Sequence, residues 1–515
     1  MIVDLRIIAR HLGLLMFVVS AFVLAVAVFA FVDAKLGNGG DGSDLRAFIV
    51  TVALGVSLGG ILVLIGRGPG EMVGQREALL LVALSWLLGA VVAASPYYMW
   101  SLLRPGTQTS AHDFDSFTNC YFEAMSGLTT TGATVVQSLA TLPRSLLLWR
   151  ALTQWLGGLG IVVLFVAVLP MLGVGGKRVF RAEVTGPAPE GVVPRIQDTA
   201  RILWLIYVGL TILEVVALRM CGMRWFDAVC HTFTTLATGG FGTLDASIGG
   251  FNSTAIHITI IVFMFIAGVN FSLYYQLIHG DWRALFSDAE FRTYTGILAV
   301  AALIVTVSLV GSPSDASAGA GHAQGLGTSL KHAVFQVVSI QTTTGFCTAD
   351  FDAWSYAAKA TLVALMFIGG SAGSTSGGIK VVRILIAAKV LIAELEQSYR
   401  PKVIRSVKIG AASVDADLKR ATLVYIIGFL GVFALGTNAL MLCEAEGAID
   451  ISTAATAAVT TMSNIGPGLG KVGASQNYAW LADSSKIVLC VLMVVGRLEM
   501  FAIVALFSPR FWRVE

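Results

Sequence analysis

Ten stretches of this 515-residue chain are apolar for long enough to cross a bilayer: residues 12–32, 48–66, 79–100, 149–173, 201–221, 254–279, 294–311, 359–395, 420–443 and 485–508. A span needs about 20 apolar residues, and in hydrocarbon only helices and closed barrels satisfy their own backbone. Runs of this length predict helices, so the sequence specifies an all-α polytopic membrane protein. Charged residues make up 13% of the chain, about half the share of an ordinary soluble domain. The first run has 21 residues, longer than the roughly 7–15 of a signal-peptide core. It reads as a retained helix.

Four shorter apolar runs lie between the long ones, at 114–128, 226–238, 330–341 and 451–462. They are too short to cross, and each leads into a segment rich in glycine or threonine. A short apolar helix followed by irregular backbone predicts a re-entrant element. Such backbone must be buried in protein or line a water-filled path.

The four segments share a register. They read Leu-Thr-Thr-Thr-Gly-Ala-Thr at 128–134, Leu-Ala-Thr-Gly-Gly-Phe-Gly at 236–242, Gln-Thr-Thr-Thr-Gly-Phe-Cys at 341–347 and Met-Ser-Asn-Ile-Gly-Pro-Gly at 462–468. Aligned on Gly132, Gly240, Gly345 and Gly466, they recur at intervals of 108, 105 and 121 residues, each enough for one helix–pore helix–filter–helix unit. Six residues before each glycine stands a small hydroxyl: Ser126, Thr234, Ser339 and Thr460. Two before stands Thr130, Thr238, Thr343 or Asn464. Asp115, Asp227 and Asp450, and Ser329 in the third case, are placed to cap the short helices.

Glycine permits dihedrals that aim successive carbonyls one way, and a ring of carbonyls can replace the water around a cation. Four such segments around one axis would give four oxygens per layer, with helix C-termini directed at the ion. The symmetry is approximate. Ala237 stands where repeats one and three have threonine, and repeat four has Asn464 and Ile465, with Pro467 after its glycine. One aligned glycine per repeat implies few carbonyl layers and loose selectivity.

Two further elements suggest control of a path. Residues 369–378 hold five glycines, Gly369, Gly370, Gly373, Gly377 and Gly378, inside the apolar run 359–395. At roughly 1 kcal/mol each against alanine, they break that helix near its middle, either as a loop in the path or as a kink for close packing. Lys380 follows after Ile379. Arg497 lies inside the last run, where a charge is functional by default. It either faces the path or pairs with Glu444 or Glu214.

Together Thr-Thr-Thr-Gly at 129–132 and 342–345, Thr-Gly-Gly-Phe at 238–241 and Ser-Asn-Ile-Gly-Pro-Gly at 463–468 resemble the filters of the TrkH/KtrB/HKT superfamily of potassium transporters. The resemblance covers nearly the whole chain, and two extra N-terminal helices place it nearer the TrkH branch. It implies four pore units around a pseudo-fourfold axis: an extension at 1–70, then repeats at 77–175, 198–282, 291–400 and 416–511. It implies K⁺ at Thr129, Thr130, Thr131, Gly132, Thr238, Gly239, Gly240, Thr342, Thr343, Thr344, Gly345, Asn464, Ile465 and Gly466. It also implies an intramembrane gating loop at 369–378, a pore-facing Arg497, a homodimer in a bacterial inner membrane, and a cytoplasmic nucleotide-binding ring similar to TrkA.

Other functions fit less well. Residues 369–373 spell the Gly-x-Ser-x-Gly of a hydrolase, but that motif needs a preceding strand and a histidine partner. His231, in a pore helix, is the histidine the runs place in an apolar element. The six cysteines (Cys120, Cys221, Cys230, Cys347, Cys443 and Cys490) form no Cys-x-x-Cys pair. An enzyme is not expected, nor any cofactor; the ion is the substrate. Gly175, Gly176, Lys177 and Arg178 lack phosphate-loop spacing, so nucleotide control would come from a partner. A net charge of +3 does not suggest a nucleic-acid partner. A secondary transporter with inverted repeats would show two matched broken helices, not four filters of one sense. Sorting connections from a cytoplasmic N-terminus puts 21 basic residues inside, Arg383 among them, and 11 outside, Arg150 among them. That split predicts both termini in the cytoplasm. The basic stretch 383–420 serves as an anchor or as a docking surface.

Overall fold

A computed structural model describes residues 4–37, 41–68, 74–104, 112–158, 160, 196–310, 325–401, 406–410, 412–498 and 500–512. The second half of the run 149–173, the motif at 175–178 and Glu499 lie outside the described residues. The molecule is a helical polytopic membrane protein. Its described strands are the two-residue hairpin β1 (Lys408–Ile409) and β2 (Ala412–Ser413), within the basic connection.

Three long helices open the chain: α1 (Leu5–Lys35), α2 (Ser43–Ile65) and α3 (Gln75–Leu103). Asp4 caps α1 by accepting from Arg6 N. Helices α1 and α2 cross at glycines. A Cβ on Gly13 would sit 2.6 Å from Gly59 O, and one on Gly59 2.9 Å from Gly13 O. Small residues allow backbones to approach where lipid gives helices no hydrophobic reason to associate.

Four units follow. The first holds the pore helix α4 (Phe117–Leu128) and the inner helix α5 (Arg144–Gly158). The second runs through α6 (Ile196–Met220), the pore helix α7 (Trp225–Leu236), and α8 (Thr254–Ala267) with α9 (Phe271–Ile278). After the short α10 (Trp282–Ser287), the third comprises α11 (Ala289–Leu309), the pore helix α12 (Leu326–Gln341), α13 (Tyr356–Phe367) and α14 (Val381–Tyr399). The fourth comprises α15 (Ala416–Cys443), the pore helix α16 (Ile451–Met462), α17 (Asp483–Arg497), α18 (Met500–Val504) and the terminal α19 (Pro509–Trp512).

The ten apolar runs are not ten straight helices. Six described helices are long and apolar enough to span, and α8 and α9 together pass the same test as a pair bent by 96°. The inner segments are where the runs and the helices part. The third repeat's is interrupted between Phe367 and Val381, as its glycines require. The second bends at Gly268–Asn270, and in the fourth α17 ends at Arg497. Arg497 is thus the last residue of α17 rather than a mid-helix residue.

Local expectations also shift. Asp450 caps α16, but Asp115 sits in a short 3-10 turn before α4, Asp227 lies in the first turn of α7, and Ser329 lies inside α12. His257 joins His231 as a buried histidine within an apolar helix. Neither Arg150 nor Arg383 is a loop charge: both are buried on helices. Arg383 stacks over Tyr425 at 3.7 Å.

Candidate functional site: a ring of four filters

All four pore helices end in the same way. The N–H two residues before the aligned glycine donates back three residues, as from Thr130 to Gly127 O at 3.0 Å and from Asn464 to Thr461 O at 3.3 Å. The next N–H donates back five, from Thr131, Gly239, Thr344 and Ile465 to the carbonyls of Ser126, Thr234, Ser339 and Thr460, at 2.8–2.9 Å. This pair of bonds is a Schellman motif, which puts its C′ residue in the left-handed region, usually as glycine. Here C′ is Thr130 (φ 56°), Thr238 (53°), Thr343 (58°) or Asn464 (55°). A non-glycine residue so placed costs about 1–3 kcal/mol and clusters at functional sites. The small hydroxyls six before the glycine share no side-chain role: Ser339 Oγ donates to Phe346 O, while Thr234 bonds within its own helix. The common element is the main-chain carbonyl at that position.

The glycines also have positive φ: 78° at Gly132 and Gly240, 81° at Gly345 and 98° at Gly466. What each faces closes a ring. A Cβ on Gly132 would collide with Gly239 O, on Gly240 with Thr344 O, and on Gly345 with Ile465 O. On Gly466 it would lie 2.7 Å from Thr131 O. Each repeat's glycine therefore abuts the carbonyl just before the next repeat's glycine, in the order one, two, three, four, one. Every predicted filter residue with a side chain is buried here.

The supports behind the ring differ. Thr129 and Thr131 pair through their hydroxyls at 2.8 Å, and Thr342 and Thr344 do so at 2.9 Å. Repeat two has Ala237 and Gly239 at those positions, and Gln154 of α5 fills the space. Its amide donates to Gly239 O at 2.7 Å and accepts from Phe241 N at 3.0 Å. In repeat four, Asn464 Nδ2 donates to Met493 O at 3.1 Å and to Thr131 Oγ1 at 3.0 Å. A buried ion pair, Arg150 with Glu123 at 2.8 Å, braces the outer ends of filters one and two. Glu123 accepts from Val135 N, and Arg150 donates to Gly242 O. Tyr478 donates to Gly466 O at 2.7 Å. At the outer face Asp245 accepts from Leu139 N, and Asp352 from Gly470 N, joining repeats one with two and three with four.

Directly against the ring lies the segment between α13 and α14. Its ends pair as Gly369 N to Ile379 O and Val381 N to Gly370 O. Its middle is zipped to the bend of repeat two: Ser371 N donates to Gly268 O at 2.9 Å, and Phe271 N to Gly373 O at 3.1 Å. Gly377 N donates to Thr343 Oγ1 at 2.7 Å, so the segment touches a left-handed filter residue. Gly373 and Gly378 have positive φ, and Lys380 Nζ donates to Ser376 O.

Arg497 completes this layer. Its guanidinium donates to Thr375 O of the segment at 2.8 Å, to Gly157 O and Gly158 O at the end of α5, and to Thr130 Oγ1 at 3.3 Å. Neither carboxylate considered as its partner bonds to it among the described residues. Glu444 accepts from Ala482 N, and the Glu214 oxygens are buried with no hydrogen-bond partner among the described residues.

Sequence reasoning missed Gln154, Glu123 with Arg150, and Tyr478. A large amide within a membrane run was the available signal for Gln154. The others act across distances that no local pattern encodes.

Known proteins resemble this arrangement closely. Residues 98–514 match the family described as TrkH, cation transport protein. The Trk system potassium uptake protein TrkH of Salmonella typhimurium is 38% identical over 99% of both chains. The Trk system potassium uptake protein TrkG of Escherichia coli is 32% identical over 91% of this chain and 92% of its own. The crystal structure of the potassium transporter TrkH from Vibrio parahaemolyticus superposes with a TM-score of 0.84 at 33% identity, covering 99% of this chain and all of that one.

Proposed function

The chain belongs to the TrkH family of cation transport proteins, and we propose that it takes up potassium through the ring of four filters, under the control of the segment beneath them. It is a membrane transporter and not an enzyme. The observation that carries the reading is the closed order of glycine-to-carbonyl contacts, since four carbonyls at one level are what a dehydrated K⁺ requires. In this reading the ion is coordinated at 129–132, 238–240, 342–345 and 464–466, within the four repeats bounded as the sequence suggests.

The segment 369–378 acts as the gate. It bonds to Thr343, and Arg497 bonds to both the segment and Thr130, so filter and gate share the residues of the inner rim. A fixed guanidinium there raises the barrier for a cation. The termini are cytoplasmic, in a bacterial inner membrane. The working unit is a homodimer governed by a nucleotide-binding ring of the TrkA kind; the basic connection after α14 supports such a contact.

Reversal potentials in proteoliposomes with varied K⁺, Na⁺ and pH test the reading. A shift dominated by the K⁺ gradient, with a smaller response to Na⁺, is expected. Arg497→Ala should raise flux severalfold in folded protein; unchanged or lower flux would make Arg497 a structural tie rather than a barrier.

A further inference from the structure

We propose that Glu290 is the latch of the intramembrane segment, a positioning residue that sets how often the path beneath the filter is closed. The proposal rests on reading 369–378 as the gate. Helix α14 begins with Lys380 as its N-cap, and Lys380 makes no side-chain cap bond. The first N–H groups of a helix need an acceptor from elsewhere. Glu290, in the first turn of α11, supplies it: Oε1 accepts from Val382 N at 3.0 Å. The same oxygen accepts from Ala372 N, in the middle of the segment, at 2.8 Å.

One carboxylate oxygen therefore ties together two points ten residues apart. The chain between them includes Thr375, which Arg497 holds, and Gly377, which bonds the filter. The bonds beside Ala372, from Ser371 N to Gly268 O and from Phe271 N to Gly373 O, are neutral backbone bonds. A carboxylate acceptor is roughly twice as strong and is favoured at a helix N-terminus. Glu290 is 8% exposed, so little water is at hand to replace it. Displacing the segment sideways breaks the Ala372 bond first, while the Val382 bond holds the carboxylate ready to recapture it. Asp288 and Lys380 are the charges that act on this carboxylate.

The test uses the purified full chain in liposomes, with rubidium uptake read in the absence of any cytoplasmic partner. Deleting 369–378 sets the ceiling. Glu290→Leu should raise basal uptake about tenfold. Glu290→Gln keeps an oxygen able to accept both bonds but not the charge that strengthens them, and should rise only about two- to threefold. Val382→Pro removes one donor at a helix position where proline is tolerated and should give a smaller rise. It carries the test if Glu290→Leu does not fold. A deletion that raises uptake while Glu290→Leu and Val382→Pro match the parent overturns the latch and leaves the gate standing. A deletion without effect overturns the gate and the latch with it. Glu290→Gln rising as far as Glu290→Leu also overturns the latch, because charge rather than hydrogen bonding would then be what matters.

Discussion

Repeats one and three hold their filters from within, whereas repeats two and four are held from outside. In the first pair a threonine hydroxyl three residues before the glycine bonds the hydroxyl one residue before it. In the second pair that local bond cannot form. Gln154 reaches repeat two from 85 residues away, and Asn464 ties repeat four to α17 and to repeat one. The backbone result is the same, with φ of 53–58° at all four C′ positions. Equal geometry thus rests on unequal supports, and sequence departures from Thr-Thr-Thr-Gly need not be departures in shape.

The largest effect should come from the element all four share. Gly345 has φ 81°, and a side chain there would collide with Ile465 O. Backbone on both sides cannot yield without moving the ring. Gly345→Ser should cut K⁺ over Na⁺ permeability by at least about tenfold, read from bi-ionic reversal potentials. Gly466 has more room, at 2.7 Å, so Gly466→Ser should cost less selectivity. Equal losses would mean that the ring is uniform and that the looser fourth contact has no consequence.

A smaller effect separates outside from inside support. Gln154→Leu leaves Gly239 O and Phe241 N buried without these partners, each worth about 1–3 kcal/mol. Thr344→Val removes one hydroxyl pair, while Thr342 still bonds Val338 O at 2.7 Å; its cost should be about 1 kcal/mol. Thermal unfolding in detergent and permeability ratios should both rank Gln154→Leu as the more damaging. The reverse order would show that the threonine pair, and not the remote amide, is the stronger brace.

The same division explains what the sequence made legible. The register of the four segments and the break at 369–378 are set by residues within a few positions of one another, and pattern reading found them; it marked Thr130, Thr238, Thr343 and Asn464 but not their left-handed backbone. Arg497 stood out as a charge in an apolar run, but its place at the end of α17 did not, because no glycine run or proline marks it. Gly268, alone in an apolar run, gave little warning of the 96° bend. Arg150 looked like a loop charge because its partner Glu123 lies in another apolar run 27 residues earlier. Glu290 looked like the start of an ordinary helix. Contacts between distant elements decide these cases, and one sequence does not state them.

The pore-helix N-termini sharpen the comparison at its smallest scale. Asp450 caps α16 through Thr453 N at 3.4 Å and accepts from the Ser452 and Thr453 hydroxyls. Ser116, Arg224 and Gly325, at the starts of the other three, make no side-chain cap bond. Repeat four is thus held from outside at its filter and capped from within at its helix, whereas repeat two, held from outside as well, has no such cap. Asp450→Ala should cost about 1 kcal/mol, comparable to the threonine pair and below Gln154. The hydroxyl of Ser452, and then that of Thr453, holds the Asp450 carboxyl below its usual range. A lowered folded-state value means the contribution is complete above the ordinary carboxylate range and fades as pH falls through the folded value. Asp450→Asn keeps a capping oxygen without the titration. The stability gap between parent and Asp450→Asn, followed by unfolding from about pH 6 to about pH 3, should shrink with acid. A gap that stays constant would mean the cap works through its shape alone and that its charge adds nothing to repeat four.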